Sequence, residues 1–465
     1  MTEIKQPIIP STVVEVQTKA KTELDLKAIC IFTAIGFFLD TDTYWKNKKV
    51  LKPACTHRID ADGILMDSKP YFKWHYTPRN ISFNKALEEF TELFENILKE
   101  QTQNQKVILP LSGGLDSRTQ ATGLHYINAE VQSYSYAFKN GFNEVAIAKQ
   151  IASVCQFPFK AYTISDGYLW NKLGELVALN GCYSDFTSPR QMAIVNEFKA
   201  MGDVFSLGHW GDVLFDNYGV PQLSEQEELQ FLSKKLLKKG GLELAEDLWK
   251  HWNLDGEFKD YLNQRLSDLL KTIDIKNSNP KLRAFKSKYW APRWTSVNLA
   301  IFQSQQPIAL PYYDDRMCQW LCTIPEEYLV DRKIQIEYIK KRNPSLAKIM
   351  WQDKRPYNLY TYQTTNKLVS WCYRIGSKAK RSWAGMIGNP YIQRNWELQF
   401  NGKANEKKLR VELEQTQLKE WVGEHIQSTY LEGFYRGEFK VCAHGLNMLL
   451  TLAKFHQKHH HGEAN

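Results

Sequence analysis

The sequence predicts an α/β protein: a doubly wound, mostly parallel sheet, preceded by a small β-containing unit and followed by a largely helical part. Three observations carry this expectation. Short apolar runs recur at 107–111, 131–138, 160–164 and 204–207, and helix-length segments separate them, which is the spacing of strands joined through crossovers. The first run enters a Gly-Gly turn that opens a helix, and in such sheets ligands sit beyond the carboxyl ends of the strands. At 465 residues the chain exceeds one ordinary domain and has ample length to bury a large core.

Residues 1–27 mix Pro, Thr, Lys and Glu without a period and predict a flexible arm. Residues 28–80 predict a small unit. Its apolar stretch 28–39 (AICIFTAIGFFL) reads as a core helix, and the segments around 56–60 alternate before a hairpin-type turn at Asp60-Ala-Asp-Gly63. From Ile81 to Lys99 the residues Phe83, Leu87, Phe90, Leu93, Phe94, Ile97 and Leu98 recur at three and four, the stripe of an amphipathic helix. Asn80 and Ser82 can cap it, and Glu88 and Glu89 favour its early turns. The sheet domain takes residues 81–350, with helices at 116–126 and 144–155 between the first three strands. Pro110 removes a donor and marks the last pairing position of the first strand. Within this domain, residues 224–275 are charged and helical and predict an insertion or lid. Residues 351–465 predict a helical extension.

Composition narrows the function. The 43% hydrophobic and 13% aromatic content, with 14 Trp, is that of a globular protein with large packed interfaces or a stacking pocket. The net charge of +9, from 60 Lys and Arg against 51 Asp and Glu, favours a polyanionic substrate but is too diffuse for nucleic acid. The densest basic stretch, 374–381 (RIGSKAKR), reads as a solvated surface run. No segment has the apolar length of a membrane span, and the start lacks a secretory signal, so the expected location is the cytoplasm. The eight cysteines form no CxxC pair and read as reduced core thiols; the cluster His459-His460-His461 reads as a frayed end.

The chemistry centres on residues 107–117, Val-Ile-Leu-Pro-Leu-Ser-Gly-Gly-Leu-Asp-Ser. A strand that turns through Ser-Gly-Gly into a helix gathers backbone N–H groups around one point, with the positive end of the helix dipole behind them. Leu111, Ser112, Gly113, Gly114, Leu115, Asp116 and Ser117 are therefore candidates for cradling a phosphate-type anion. Ser112 and Ser117 offer hydroxyls, and Asp116 offers a carboxylate to Mg²⁺. No Lys-Ser/Thr follows the glycines, which excludes the ordinary P-loop.

The whole string resembles the pyrophosphate loop of the N-type ATP pyrophosphatases, whose fold is that of the adenine nucleotide α-hydrolases and which cut ATP to AMP and pyrophosphate. Within them the chain is most similar to the synthetase domain of asparagine synthetase, over residues 30–350. Ser133-Tyr-Ser-Tyr-Ala137 fits the strand whose end lines the adenine pocket, which implicates Tyr136 and Ala137. Leu207-Gly-His-Trp-Gly-Asp-Val-Leu-Phe215 resembles the family's Ser-Gly-Glu-Gly-Ser-Asp-Glu-Leu-Phe, which implies that Leu207 and Gly208 bind nucleotide and that Asp212 is the second carboxylate for Mg²⁺. Ala309-Leu-Pro-Tyr-Tyr-Asp314 resembles a later Arg-Val-Pro-Phe-Leu-Asp motif and implicates Asp314. Residues 42–53 and 59–63 look like the closing segment of the family's amidotransferase domain, whose complete form needs an N-terminal Cys; position 2 is Thr.

His209 and Val213 replace two acidic residues of the second motif, and the family's adenylation lysine falls in a region with Gln335 and Glu337, where Lys333 is the nearest cation and Lys340 the next. The resemblance implies an ATP- and Mg²⁺-dependent, AMP-forming ligase without its own glutaminase. It would adenylate a carboxylate for attack by ammonia, an amine or nitrogen from a separate protein, with asparagine as the family's product. Two alternatives are a nucleotide-binding homologue without turnover and a tailoring enzyme that forms amides on a peptide or surface polysaccharide. A third, a tRNA-thiolating enzyme, would need catalytic cysteines, for which Cys155 and Cys182 are available, and a basic surface.

Overall fold

The computed structural model describes all residues except 140–143, 166, 217, 364–398, 439–441 and 461–465. The basic stretch 374–381 and His461 lie outside the described residues.

The N-terminal part holds five short strands. β1 (Thr2–Lys5), β4 (Cys55–Ile59) and β5 (Leu65–Pro70) form one antiparallel sheet in the order β1-β4-β5, and β2 (Glu15–Gln17) pairs with β3 (Lys48–Val50). Residues 1–27 are thus not the flexible arm the sequence suggested. Strands of three or four residues are too short to show alternation, and their partners lie far along the chain. Ile8 and Ile9 are buried, and the Ile8 N–H donates to Asp315 Oδ1 at 2.8 Å.

The central sheet comprises β6 (Val107–Pro110), β7 (Val131–Phe138), β8 (Phe159–Ile164), β9 (Val204–Ser206) and β10 (Ile308–Ala309), all parallel, in the order β10-β9-β6-β7-β8. Val107, Ile108 and Leu109 are fully buried, as expected of a central parallel strand covered on both faces. Pro110 opposite Tyr134 is the last pair of its register, and the Leu111 N–H then donates to the Tyr134 carbonyl at 2.8 Å. The chain leaves β6 for β7 on one side, whereas β9 pairs on the other. The crevice between the β6 and β9 loops is the topological switch point, where open α/β sheets bind ligands.

The amphipathic stripe forms the helix Phe83–Thr102, capped by Ser82, whose side chain accepts from the Lys85 N–H. Ala86, Phe90, Phe94, Ile97 and Leu98 are its fully buried face. Behind the loop runs the helix Leu115–Tyr126. Its buried Arg118 donates to the carbonyls of Ile349 at 3.0 Å and Met350 at 2.8 Å, which pins that helix to the segment entering residue 352.

The 224–275 region is not a free lid. Its helix Gly241–His251 buries Leu244, Ala245 and Leu248 against the helix Leu26–Ile35, whose residues Ala28 to Ile35 are all buried. The C-terminal helix Ala443–His460 joins the same core, with Phe455 stacked on Tyr44 at 3.6 Å between ring centroids. Among the described residues no helix is long and apolar enough to cross a membrane.

Candidate active site

Two loops meet at the switch point. In the first, the Ser112 N–H donates to Ser117 Oγ at 3.1 Å, the Gly114 N–H to Ser112 Oγ at 3.2 Å, and the Gly113 N–H to Glu144 Oε2 at 3.4 Å. Gln352 Nε2 holds the other Glu144 oxygen at 2.7 Å, so the cradle is braced from behind. Its amides surround the start of the helix Leu115–Tyr126, the positive end of that helix's dipole.

The second loop follows β9. A Cβ on Gly208 would stand 2.9 Å from Asp116 Cβ, and one on Gly211 would run into Asp116 Oδ1 and lie 2.6 Å from Tyr312 Cε2. Both positions therefore need glycine for close approach. Between them Trp210 is held in the left-handed region at φ +75°, with its indole N–H donating to Ser287 Oγ at 3.0 Å. Such strain in a bulky residue persists only where surrounding contacts fix it.

Asp116 and Asp212 face the space between the loops. The Arg332 guanidinium pairs with Asp116, and Gln335 Nε2 reaches the same oxygen at 3.4 Å and Tyr312 Oη at 2.9 Å. Burial, reinforced by the Asp212 charge and opposed by Arg332, lifts the Asp116 carboxyl to about 6. His209 carries a buried Nδ1 with no hydrogen-bond partner, and burial lowers its imidazole to about 4, so it is neutral at pH 7.

Asp116, Asp212 and His209 line a cavity of about 570 Å³. It gathers Leu111, Ser112, Asp116, Ser117, Tyr136, Ala137, Leu207, Gly208 and Asp212, nine of the residues singled out from sequence. Gly113, Gly114 and Leu115 form the cradle's back and the helix start.

Asp314 and Lys333 do not line the cavity. Asp314 caps the helix Asp315–Leu321 by accepting the Arg316 N–H at 3.0 Å, and it pairs with the Arg316 guanidinium at 2.9 Å. Lys333 is exposed, its ammonium 4.3 Å from the Phe83 ring centroid. Asp331 and Arg332 both have left-handed backbones, φ +52° and +62°, and it is the buried Arg332 that reaches Asp116. Sequence reasoning also passed over Glu144 as a brace, Arg190 and Lys286. Arg190 lines the cavity near Tyr136 and Glu144. Lys286 is half-buried and lies 5.7, 5.4 and 4.9 Å from the ring centroids of Trp210, Tyr218 and Trp290. Burial lowers its ammonium below the ordinary lysine value, and Asp212 partly restores it.

Two hard carboxylate donors beside a cradle of amides suit a Mg²⁺ ion that completes its coordination with phosphate and water. Among the described residues no group of three or more acids, histidines or cysteines could hold a metal by protein ligands alone. Cys155 and Cys182 lie outside the cavity, and burial pushes both thiols up to about 12, which leaves them inert.

No individual curated protein matches the chain. The family model described as Asparagine synthase matches residues 89–423, well over half of it. The span includes the cradle, both loops and the Arg332 turn, and the chain belongs to the asparagine synthase family of ATP-dependent ligases.

Proposed function

We propose that the protein is an AMP-forming amide ligase that adenylates a carboxylate and transfers the acyl group to ammonia or an amine. The observation that carries this reading is the convergence of the 112–117 cradle with Asp116 and Asp212 at the switch point. In the first step a carboxylate oxygen bonds to the α-phosphorus of ATP. The bond from that phosphorus to the bridging β-oxygen breaks, and pyrophosphate leaves with the electron pair. In the second, the nitrogen bonds to the acyl carbon, AMP leaves with the former carboxylate oxygen, and the nitrogen loses a proton.

The cradle amides, Ser112 and Ser117 would hold the pyrophosphate, with Tyr136 and Ala137 beside the adenine. Mg²⁺, held by Asp116 and Asp212, would offset the charge of the leaving group. Positioned donors of this kind act by electrostatic stabilisation and orientation. The nitrogen would come from free ammonia, an acceptor amine or a separate protein. The described cysteines are all free thiols, which fits a reducing compartment such as the cytoplasm.

ATP–pyrophosphate exchange across a panel of carboxylic acids tests the reading. The expected result is exchange that depends on one class of acid and disappears in Asp116→Ala. No exchange above that control with any acid would defeat it and favour a nucleotide binder without turnover, a reading to which the Arg332 pair on Asp116 lends support.

A further inference from the structure

A second chamber of about 320 Å³ adjoins the first, and Asp212, Val213 and Lys286 line both. Tyr218 and Trp351 form aromatic walls, Asp216 and Arg332 complete the lining, and the exposed Asp331, Asp353 and Lys354 stand towards solvent. We propose that this second chamber holds the carboxylate substrate and that Lys286, on the shared wall, is the residue that receives its carboxylate. The proposal rests on the ligase reading above.

The first reason is position. An incoming carboxylate must approach the α-phosphorus from the side away from the departing pyrophosphate. The pyrophosphate cradle belongs to the first chamber alone, since Ser112 and Ser117 line it and not the second. Asp212, Val213 and Lys286 therefore mark where a ligand in the second chamber meets a nucleotide in the first.

The second reason is charge. Adenylation brings two anions into contact beside Asp116 and Asp212, and the repulsion must be offset by a cation with charge to spare. Two other cations line the second chamber: Arg332 is committed to Asp116, and the exposed Lys354 lines that chamber alone, off the wall shared with the first. Arg190 stands near Tyr136, in the first chamber alone. Lys286 is ringed by Trp210, Tyr218 and Trp290, whose faces hold an ammonium in place without neutralising it. Being half-buried, it acts on a neighbouring anion through a lower effective dielectric than water provides.

The third reason is Val213. It stands where the family's motif carries an acid, so on the wall shared by the two chambers Lys286 faces Asp212 alone, and Asp216 lines the second chamber only. The change that removes charge from the nucleotide side thereby leaves the lysine available to a substrate. Lys286 is also well anchored, because its neighbour Ser287 accepts the Trp210 indole N–H at 3.0 Å.

The test uses the full chain and the acid that supports the fastest exchange in the unmodified protein. Lys286→Met should raise the KM for that acid about 10-fold and lower the exchange rate about 100-fold, within the range for removing one charge-stabilising donor. Affinity for ATP, followed separately by tryptophan fluorescence, should stay within about 2-fold. Lys286→Arg should recover part of the loss. An unchanged acid KM in Lys286→Met overturns the proposal, and so does a parallel loss of ATP affinity, which would assign the lysine to the nucleotide. Should Lys286→Met melt early, Lys286→Gln and Lys286→Arg decide, and an acid KM unmoved in both overturns it. Failure of the ligase reading shows differently: the unmodified protein then exchanges with no acid, and this assignment falls with it.

Discussion

Around Asp116 the protein packs charge against charge. Two carboxylates and a neutral imidazole with an orphaned nitrogen share one cavity, the Arg332 guanidinium pairs with one of those carboxylates, and Trp210, Asp331 and Arg332 hold left-handed backbones on the segments that supply these groups. Around Phe38 it packs ring against ring: Phe38 stacks on Phe32 at 4.6 Å and meets Tyr44 edge-on at 4.7 Å, and Tyr44 stacks on Phe455. The Tyr44 hydroxyl is answered there, donating to the Cys182 carbonyl at 2.6 Å. Unsatisfied and strained groups cost free energy that apolar burial elsewhere must offset. The contrast teaches that substitutions in the two regions should separate activity from stability.

The largest effect is expected in the apolar region. Phe38→Ala should lower the unfolding free energy by about 3–5 kcal/mol, read from denaturant melts, while leaving the exchange KM of the folded fraction unchanged. Gly211→Ala should weigh the other way: its Cβ drives into Asp116 and Tyr312, and exchange should fall about 100-fold, near 2.7 kcal/mol, with a smaller loss of stability than in Phe38→Ala. If Gly211→Ala melts as early as Phe38→Ala, the division between the regions is broken.

A pH series sharpens the comparison. Because burial raises the Asp116 carboxyl from 3.8 to about 6, the folded state holds its proton more tightly than the unfolded state. The stabilisation this confers is complete below about pH 4 and is lost as pH rises through about 6. Melting temperature should therefore decline over that window in the unmodified protein and stay flatter in Asp116→Asn. The difference should be on the order of 2 kcal/mol, since partial exposure screens some of it. Phe38→Ala should keep the unmodified slope. The smallest effect belongs to neither region: Ser82→Ala removes the cap of the helix Phe83–Thr102 and should cost about 1 kcal/mol without touching exchange.

The apolar runs at 107–111 and 131–138 were legible as strands because buried parallel strands are continuous in hydrophobicity, and the cradle was legible because its residues are contiguous. The two-residue β10 was not, since it carries no pattern of its own. Lys333 stands out in the sequence and Arg332 does not, because sequence does not reveal consecutive left-handed residues that lack glycine, and that backbone decides which of two adjacent cations turns inward. Lys286 was missed for another reason. It reaches the cavity from the segment Lys286–Thr295, a wide helical turn containing Pro292 and remote in sequence from both loops. The lining of the site is thus readable where one loop supplies it and hidden where folding brings separate segments together.

The stack of Tyr44 on Phe455 has a consequence for modularity. A fragment cut to the family span 89–423 would lose both of these rings together with Phe32 and Phe38, and would leave Leu244 and Leu248 without the helix that covers them. The catalytic sheet of this chain is therefore no transferable cassette. A chimera that borrows its site has to bring both flanking segments along, because each closes the core that the other opens.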